Sequence, residues 1–211
     1  MVPIFIISFN NLTYVKSMVD QLKKYTKNIY IVDNCSTYPP LIEYLKNIDV
    51  NVIRKNANYG HRVIYGEDIK KIGGSRYIIT DPDLLLNPNL PDNFIEILCE
   101  LSDKYKANKV GFALDITNNI RDDVFFQGHT IKNWEARFWS NKIPDEYFTL
   151  YHAMIDTTFC LINNNYSSVN IRVAGDFTAV HRPWLINWKS ELANDELKHY
   201  QQTSICSSWI K

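Results

Sequence analysis

Short apolar runs alternate with amphipathic helical patterns over the first 115 residues, and this alternation restricts the fold more than any other feature of the sequence. Residues 3–9 (PIFIISF) form a nearly continuous apolar run, which is typical of a strand buried on both faces of a parallel sheet. The apolar positions of the next segment recur at helical spacing: Leu12, Val15, Val19 and Leu22. Such strand–helix–strand units predict an α/β fold with a mostly parallel central sheet and helices on its faces.

The same reasoning extends along the chain, with Asn10 or Asn11 expected to cap the first helix. Further strands are predicted at residues 28–33, 50–54, 76–80 and 109–116, and helices at residues 39–48, 63–73 and 92–105. The segment after residue 116 is polar and aromatic, followed by predicted strands at 157–162 and 169–173 and a helix at 190–199. We therefore expect one domain, in which residues 116–211 form a smaller lobe on the sheet of residues 1–115.

Composition excludes several classes of protein. With 23 Lys+Arg and 23 Asp+Glu among 211 residues, the chain lacks the basic excess of a general nucleic-acid-binding protein. No apolar run reaches the length of about 18 residues that suggests a membrane span, and no secretory signal precedes the first strand. Four scattered cysteines, Cys35, Cys99, Cys160 and Cys206, are expected to be free thiols. These features predict a cytoplasmic protein, and the polar C-terminal residues are compatible with one domain of a longer polypeptide.

Polar residues follow the predicted strands at the edge where ligands bind in open α/β sheets. The first strand is followed neither by GxGxxG nor by GxxxxGK[ST], which disfavours a dinucleotide oxidoreductase and a P-loop NTPase. Instead, the strands lead into Ser8 and Asn10, residues 33–37 (DNCST), residues 58–62 (NYGHR), and Asp81-Pro82-Asp83. These residues are the candidates for binding chemistry.

Asp81 and Asp83 are the sharpest of these features. Two carboxylates at the end of a buried strand can hold a divalent cation that also bridges a diphosphate; the alternative is an Asp-Pro turn with solvated side chains. Asp33 could accept a hydrogen bond from a base N–H such as uracil N3, or simply begin a turn. Gly60 allows the backbone to approach a ligand and Arg62 suits phosphate oxygens, although Arg62 taken alone is more typical of an ordinary surface residue.

Together these segments resemble the GT-A-fold, nucleotide-sugar-dependent glycosyltransferases, especially the family-2-like group. The resemblance covers residues 1–115 and consists of the polar turn after the first strand, D-[DN]-x-S-T at 33–37, N-x-G at 58–60 and DxD at 81–83. Residues 156–159 (DTTF) and 181–184 (HRPW) are similar to segments of some members. A GT-A (Rossmann-like) fold with an acceptor-side lobe at residues 116–211 is therefore expected.

The resemblance implies a role for each of these residues. Mn²⁺ or Mg²⁺ would be held by Asp81, Asp83 and His181, and Asp156 would be the catalytic residue that faces the anomeric carbon or the acceptor hydroxyl. The nucleotide-sugar donor, most simply a UDP-sugar, would be bound by Ser8, Asn10, Asp33, Asn58, Gly60, Arg62, Asp81 and Pro82. The acceptor would be a glycan or glycoprotein, and the activity that of a hexosyltransferase using a hexose or a deoxyhexose such as rhamnose.

Several alternatives stay open at this point. The E-D dipeptide that supplies the base of inverting members is not evident, so Asp115, Asp122 and Asp123 compete with Asp156 for that role. Trp134 and Trp139 could form a platform for sugars or pack in the lobe. A non-catalytic sugar-binding protein would share these residues. A sugar-nucleotide pyrophosphorylase would need a basic, Gly-rich loop where this chain has residues 8–11 (SFNN).

Overall fold

The computed structural model describes residues 1–117 and 119–204, and its centre is a nine-stranded mixed sheet. The strands are β1 (Ile4–Ser8), β2 (Ile29–Asp33), β3 (Asn51–Arg54), β4 (Arg76–Thr80), β5 (Leu84–Leu85), β6 (Lys109–Phe112), β7 (Phe125–Phe126), β8 (His129–Thr130), β9 (Lys142–Ile143), β10 (Leu150–His152), β11 (Phe159–Asn163), β12 (Asn170–Val173) and β13 (Val180–His181). The helices are α1 (Leu12–Leu22), α2 (Pro39–Asn47), α3 (Glu67–Gly73), α4 (Phe94–Tyr105), α5 (Ile131–Ala136) and α6 (Asn194–Thr203).

The strand order of the large sheet is β3-β2-β1-β4-β11-β6-β12-β10-β9. Only β10 and β11 run against the direction of the others. The mostly parallel sheet predicted from the sequence is thus confirmed. The antiparallel β11 lies between β4 and β6, so strands from both halves of the chain interleave in one sheet.

Apolar side chains cover both faces of the sheet. On one face, α1, α2 and α4 bury side chains such as Val15, Leu41 and Leu98 against β1, β2 and β6. On the other face, the 3₁₀ turn Gly60–Tyr65 and α3 cover a smaller cluster that includes Phe5 and Ile79. Burial on both faces explains why the run after Met1 is apolar without alternation. No helix within residues 1–117 and 119–204 is both long and apolar enough to cross a bilayer.

Three local predictions need correction. Asn11 is the N-cap residue of α1, as one of the two alternatives predicted, but its side chain makes no capping hydrogen bond; the backbone N–H of Thr13 donates instead to Glu196 of α6 (2.9 Å). The helix predicted at 63–73 begins only at Glu67, because Gly66 is extended (ψ 144°) and separates it from the 3₁₀ turn. The C-terminal helix begins at Asn194, because Ala193 is extended (ψ 144°).

Cys35, Cys99 and Cys160 are free thiols, as predicted, and Cys206 lies outside the described residues.

Candidate active site

The carboxyl end of β4 places Asp81 and Asp83 at the edge of the sheet, and a short strand pair brings His181 to them. Leu84 of β5 lies opposite His181 of β13, and the backbone N–H of Arg182 donates to the carbonyl of Asp83 (2.9 Å). This pairing leaves His181 Nε2 at 3.7 Å from Asp83 Oδ1. The DxD segment and the HRPW segment, about 100 residues apart in sequence, therefore meet in one site.

Both side chains are buried with unused polar atoms. Asp83 is 6% exposed and His181 8% exposed, yet Asp83 Oδ1 and His181 Nδ1 receive no hydrogen bond from any residue that the structure describes. Burial lowers the pKa of His181, although the nearby Asp83 carboxylate opposes the shift. A neutral imidazole beside a bare carboxylate oxygen is a donor set that suits a transition-metal dication.

Asp81 is part of the same cluster of negative charge. Its pKa is raised well above the ordinary value, first by burial and then by the carboxylates of Asp83 and Asp156. Thr157 Oγ1 donates to Asp81 Oδ2 (3.0 Å). A divalent cation would relieve this repulsion, so the residues fit one. The described part of the chain contains no ready-made cage of three or more His, Cys, Asp or Glu ligands, so other ligands, such as diphosphate oxygens, would complete the coordination.

Asp156 reaches this edge because β11 runs antiparallel to β4. The backbone N–H of Asp81 donates to the carbonyls of Thr157 (2.9 Å) and Thr158 (3.2 Å), which holds the segment just after Asp156 against the DxD turn. Asp156 itself is exposed. It is therefore a carboxylate open to solvent beside the buried pair.

The competing carboxylates have other contacts. Asp115 accepts hydrogen bonds from the backbone and hydroxyl of Thr117 in a local turn. Asp123 forms a bidentate pair with Arg121, which lowers the pKa of Asp123. Asp122 lines a surface groove of about 470 Å³ beside Trp188. Among the four candidates for the base, Asp156 is the one whose charge raises the pKa of Asp81 within the described part of the chain.

The ends of β1 and β2 present two further unused oxygens. Ser8 and Asp33 lie opposite each other in the parallel register, and both are fully buried. Asp33 Oδ1 accepts from the backbone N–H of Ser36 (3.1 Å). Ser8 Oγ and Asp33 Oδ2 make no hydrogen bond within residues 1–117 and 119–204, and Arg54 Nε lies 3.6 Å from Asp33 Oδ2. A bound polar ligand would satisfy these atoms.

The loop of residues 58–62 is held beside them by the side chain of Asn34. Asn34 Nδ2 donates to the carbonyl of Gly60 (3.1 Å), and Asn58 Oδ1 accepts from the backbone N–H of Gly60 (2.8 Å). Gly60 has φ +56°, a conformation that a side chain would strain. Arg62 is exposed at this edge, whereas Pro82 is buried between the two aspartates.

Asn10 is fully buried and serves the protein's own structure. Its Oδ1 accepts from the backbone N–H groups of Thr37 (2.7 Å) and Tyr38 (2.9 Å), and its Nδ2 donates to Thr203 Oγ1 of α6 (2.9 Å). Asn10 thus joins the turn after β1, the loop after β2 and α6. Any contact of Asn10 with a nucleotide would compete with these hydrogen bonds.

The tryptophans of the second half are packed against other side chains. The Arg137 guanidinium lies 3.5 Å from the centre of the Trp134 ring, and Phe126 meets the same ring at 4.5 Å. Trp139 packs on Tyr151 at 5.3 Å between ring centres. The Trp134 ring is thus covered on the face where Arg137 lies.

Several residues of the site were missed in the sequence. Thr157, Arg172 and Lys109 all contact Asp81 or the segment carrying Asp156, and Glu196 accepts a hydrogen bond from the backbone at the start of α1. Thr157 directly follows the candidate Asp156, a signal that could have found it. The others act across long sequence separations, so no local pattern marks them.

Comparison with known proteins supports the fold. No protein-family model and no curated protein matches the sequence. Among solved structures, the mannosyltransferase PcManGT from Pyrobaculum calidifontis, in complex with GDP-Man and Mn²⁺, aligns with TM-score 0.53 and 12% identity over 95% of this chain. HddC from Yersinia pseudotuberculosis, complexed with GMP-PN, aligns with TM-score 0.50 and 10% identity over 97% of this chain and 100% of its own. This chain spans 63% of the mannosyltransferase. The GT-A (Rossmann-like) fold expected from the sequence is confirmed.

Proposed function

We propose that the protein is a divalent-cation-dependent glycosyltransferase that moves a sugar from a nucleoside-diphosphate donor to a hydroxyl of a glycan. The observation that carries this proposal is the buried pair of His181 and Asp83, whose Nε2 and Oδ1 lie 3.7 Å apart. Asp83 Oδ1 and His181 Nδ1 make no hydrogen bond in the described chain, and the Asp83 charge helps to raise the pKa of Asp81. Unsatisfied buried polar atoms cost free energy unless a ligand pairs with them. The mannosyltransferase of similar fold, solved with GDP-Man and Mn²⁺, supports the same kind of ligand here.

Each part of the site has a role in this scheme. Asp81, Asp83 and His181 would hold Mn²⁺ or Mg²⁺, which would neutralise charge on the departing diphosphate. Ser8 and Asp33 would bind the nucleoside, while Arg62 would pair with phosphate oxygens. The exposed Asp156 would orient the acceptor hydroxyl or take its proton.

We further propose that the donor is a UDP-sugar and that the acceptor is a glycan of a glycoprotein. Asp33 Oδ2 could accept uracil N3–H, but the N1–H of guanine is also a donor, and the two similar structures hold GDP-Man and GMP-PN. UDP and GDP must therefore be compared directly. The sequence also resembles the N-terminal domain of a chlorella-virus glycosyltransferase that builds glycans on the major capsid protein, which suggests a hexose or deoxyhexose such as rhamnose and work in the host cytoplasm.

The pyrophosphorylase alternative is disfavoured by the start of α1. Such an enzyme needs a basic loop after the first strand to hold a triphosphate. Here the carboxylate of Glu196 accepts hydrogen bonds from the backbone and hydroxyl of Thr13 at that helix start. A negative side chain at this position opposes a second anion.

Calorimetric titration tests the binding half of the proposal. We expect UDP or GDP to bind the wild-type protein tightly only when Mn²⁺ is present, and Asp83→Ala to abolish the metal-dependent binding. Asp92→Ala, which removes an exposed carboxylate two residues before α4, is the matched control. Equal binding without metal would overturn the roles of Asp81 and Asp83.

Turnover separates an enzyme from a binding protein. A panel of UDP- and GDP-sugars is screened for slow hydrolysis of the donor, with Asp156→Asn beside the wild type. We expect hydrolysis of one donor class and a loss of about a hundredfold or more in Asp156→Asn. Metal-dependent binding without hydrolysis of any donor would instead favour the non-catalytic alternative.

A further inference from the structure

The segment that carries Asp156 crosses one face of the central sheet between β10 and β11. It leaves β10 beside β12, where the backbone N–H of Ala153 donates to the carbonyl of Asn170 (3.2 Å), and it reaches β4 where Asp81 N–H donates to the carbonyl of Thr157 (2.9 Å). Between these points Ile155 is buried with Cys160 and Ile162. The segment is thus a strap over the sheet, with Asp156 exposed near its end.

Two cationic side chains of the central sheet hold the strap by hydrogen bonds to its backbone. Arg172 Nε donates to the carbonyl of Met154 (2.8 Å), and Lys109 Nζ donates to the carbonyl of Ile155 (3.0 Å). Arg172 lies on β12 and Lys109 on the adjacent β6. The two carbonyls immediately before Asp156 are therefore fixed by two different strands.

Arg172 also contacts α5 and the residue Phe138 that follows it. Its side chain is 4% exposed and pairs through Nη1 with Glu135 of α5, which is 3% exposed, and its guanidinium lies 4.3 Å from the centre of the Phe138 ring. A buried ion pair of this kind is often no more stabilising than apolar side chains of similar volume. What an apolar pair could not do is hold the Met154 carbonyl and α5 at once.

We propose that Arg172, assisted by Lys109, is a positioning residue that sets Asp156 relative to Asp81. The ion pair between Arg172 and Glu135 also links the position of Asp156 to that of α5. The inference rests on the proposed function, because it takes Asp156 as the carboxylate at the reaction centre. Since the Asp156 side chain itself is exposed, its location depends on the backbone anchors on either side: Arg172 and Lys109 before it, and Asp81 after it.

The test is a double-mutant cycle on donor hydrolysis. We expect Arg172→Met to lower the turnover number at saturating donor by about tenfold or more, with the Kd of the metal–nucleotide complex unchanged within about twofold. Arg172→Lys should recover part of the rate. In an Asp156→Asn background, Arg172→Met should have no further effect, because both changes remove the same contribution. Arg76→Met, which breaks an ion pair with Asp103 at the opposite end of β4, is the control and should keep the wild-type rate.

Hydrogen exchange tests the placement without any turnover. We expect the amides of residues 154–158 to exchange faster in Arg172→Met than in the wild type, and those of α1 to be unchanged. Unchanged exchange, an unchanged turnover number, or additive effects in the cycle would each overturn the inference. If Arg172→Met does not unfold cooperatively, Lys109→Met replaces it with the same outcomes. A wild-type protein that hydrolyses no donor would overturn the proposed function, and exchange alone would then decide whether Arg172 holds the strap.

Discussion

At the level of single residues, Asp33 has one structural contact and one proposed binding contact. From the sequence, its carboxylate either begins a turn or accepts a hydrogen bond from a nucleobase. In the structure, Oδ1 holds the turn by accepting from Ser36 N–H, while Oδ2 has no hydrogen-bond partner in the part of the chain that is described. The two alternatives therefore apply to different atoms of the same side chain.

The substitution Asp33→Asn separates these two tasks. The amide can keep the hydrogen bond from Ser36, but it places a donor where Oδ2 now lies 3.6 Å from Arg54 Nε. We therefore expect nucleotide affinity to fall by about tenfold to a hundredfold, together with some loss of stability from the broken Arg54 ion pair. Calorimetric titration with UDP and GDP in the presence of Mn²⁺ measures this loss. Asp49→Asn, in which an exposed ion pair with Lys23 is broken, is the matched control. Wild-type affinity in Asp33→Asn would exclude Asp33 from the nucleotide site.

At the level of elements, α6 makes polar contacts with the loops beside the candidate nucleotide site, and its Leu197 and Tyr200 pack on the small apolar cluster around Trp188. Within α6, Glu196 is the buried residue. Tyr38 Oη donates to Asp195 Oδ2 (2.7 Å), and Thr37 Oγ1 lies 3.0 Å from His199 Nε2. A helix that docks through such contacts has no strong apolar stripe, which explains why its bounds were misplaced in the sequence.

The buried carboxylate of Glu196 makes the stability of this docking depend on pH. Burial raises the pKa of Glu196 above its ordinary value, and the hydrogen bonds from Thr13 oppose this shift only in part. A carboxyl group with a raised pKa binds its proton more tightly in the folded than in the unfolded chain. Its contribution to stability is therefore full below the unfolded pKa and is lost as pH rises through the folded pKa.

Glu196→Gln removes this titration and keeps the shape of the side chain. We expect the variant and the wild type to have similar free energies of unfolding near about pH 4. Toward about pH 8 the free energy of unfolding of the variant should exceed that of the wild type, by about 1.4 kcal/mol for each unit by which the pKa of Glu196 is raised. Urea unfolding across this range measures the difference. Glu100→Gln, at an exposed position of α4, should show no such trend. The prediction is contradicted if the free energy of unfolding of the wild type rises with pH relative to that of Glu196→Gln.

For the molecule as a whole, the sequence predicted the first half well and the second half only in outline. β1, β2 and β4 are apolar runs buried on both faces, and each ends at a polar residue, so residues such as Asp33 and Asp81 could be placed at one edge. The strap and α5 depend on contacts such as Arg172 with Glu135, 37 residues apart in sequence. No local period encodes contacts of this kind.

The strand order also explains why the candidate site needs both halves of the chain. β6 pairs only with β11 and β12 among the described strands, and both follow residue 115. Phe112 of β6 stacks on Phe159 of β11 at 4.1 Å between ring centres. Gly111 of β6 also packs closely against β11, because a Cβ at this position would lie 2.2 Å from the Phe159 carbonyl oxygen. We therefore propose that the chain folds as one domain.

Dividing the chain tests whether it folds as one domain. A fragment of residues 1–115 keeps β1 to β4 but leaves β6 without a partner strand and exposes the Phe112 face against which Phe94 of α4 packs. We expect the fragment to lack a cooperative thermal transition in near-ultraviolet circular dichroism, and the full chain to show a single one. The fragment also lacks Asp156 and His181, so it should not bind UDP or GDP with Mn²⁺. A fragment that unfolds cooperatively would show that the two halves are separate folding units, because the pairing of β11 with β4 and β6 would then not be needed for the first half to fold.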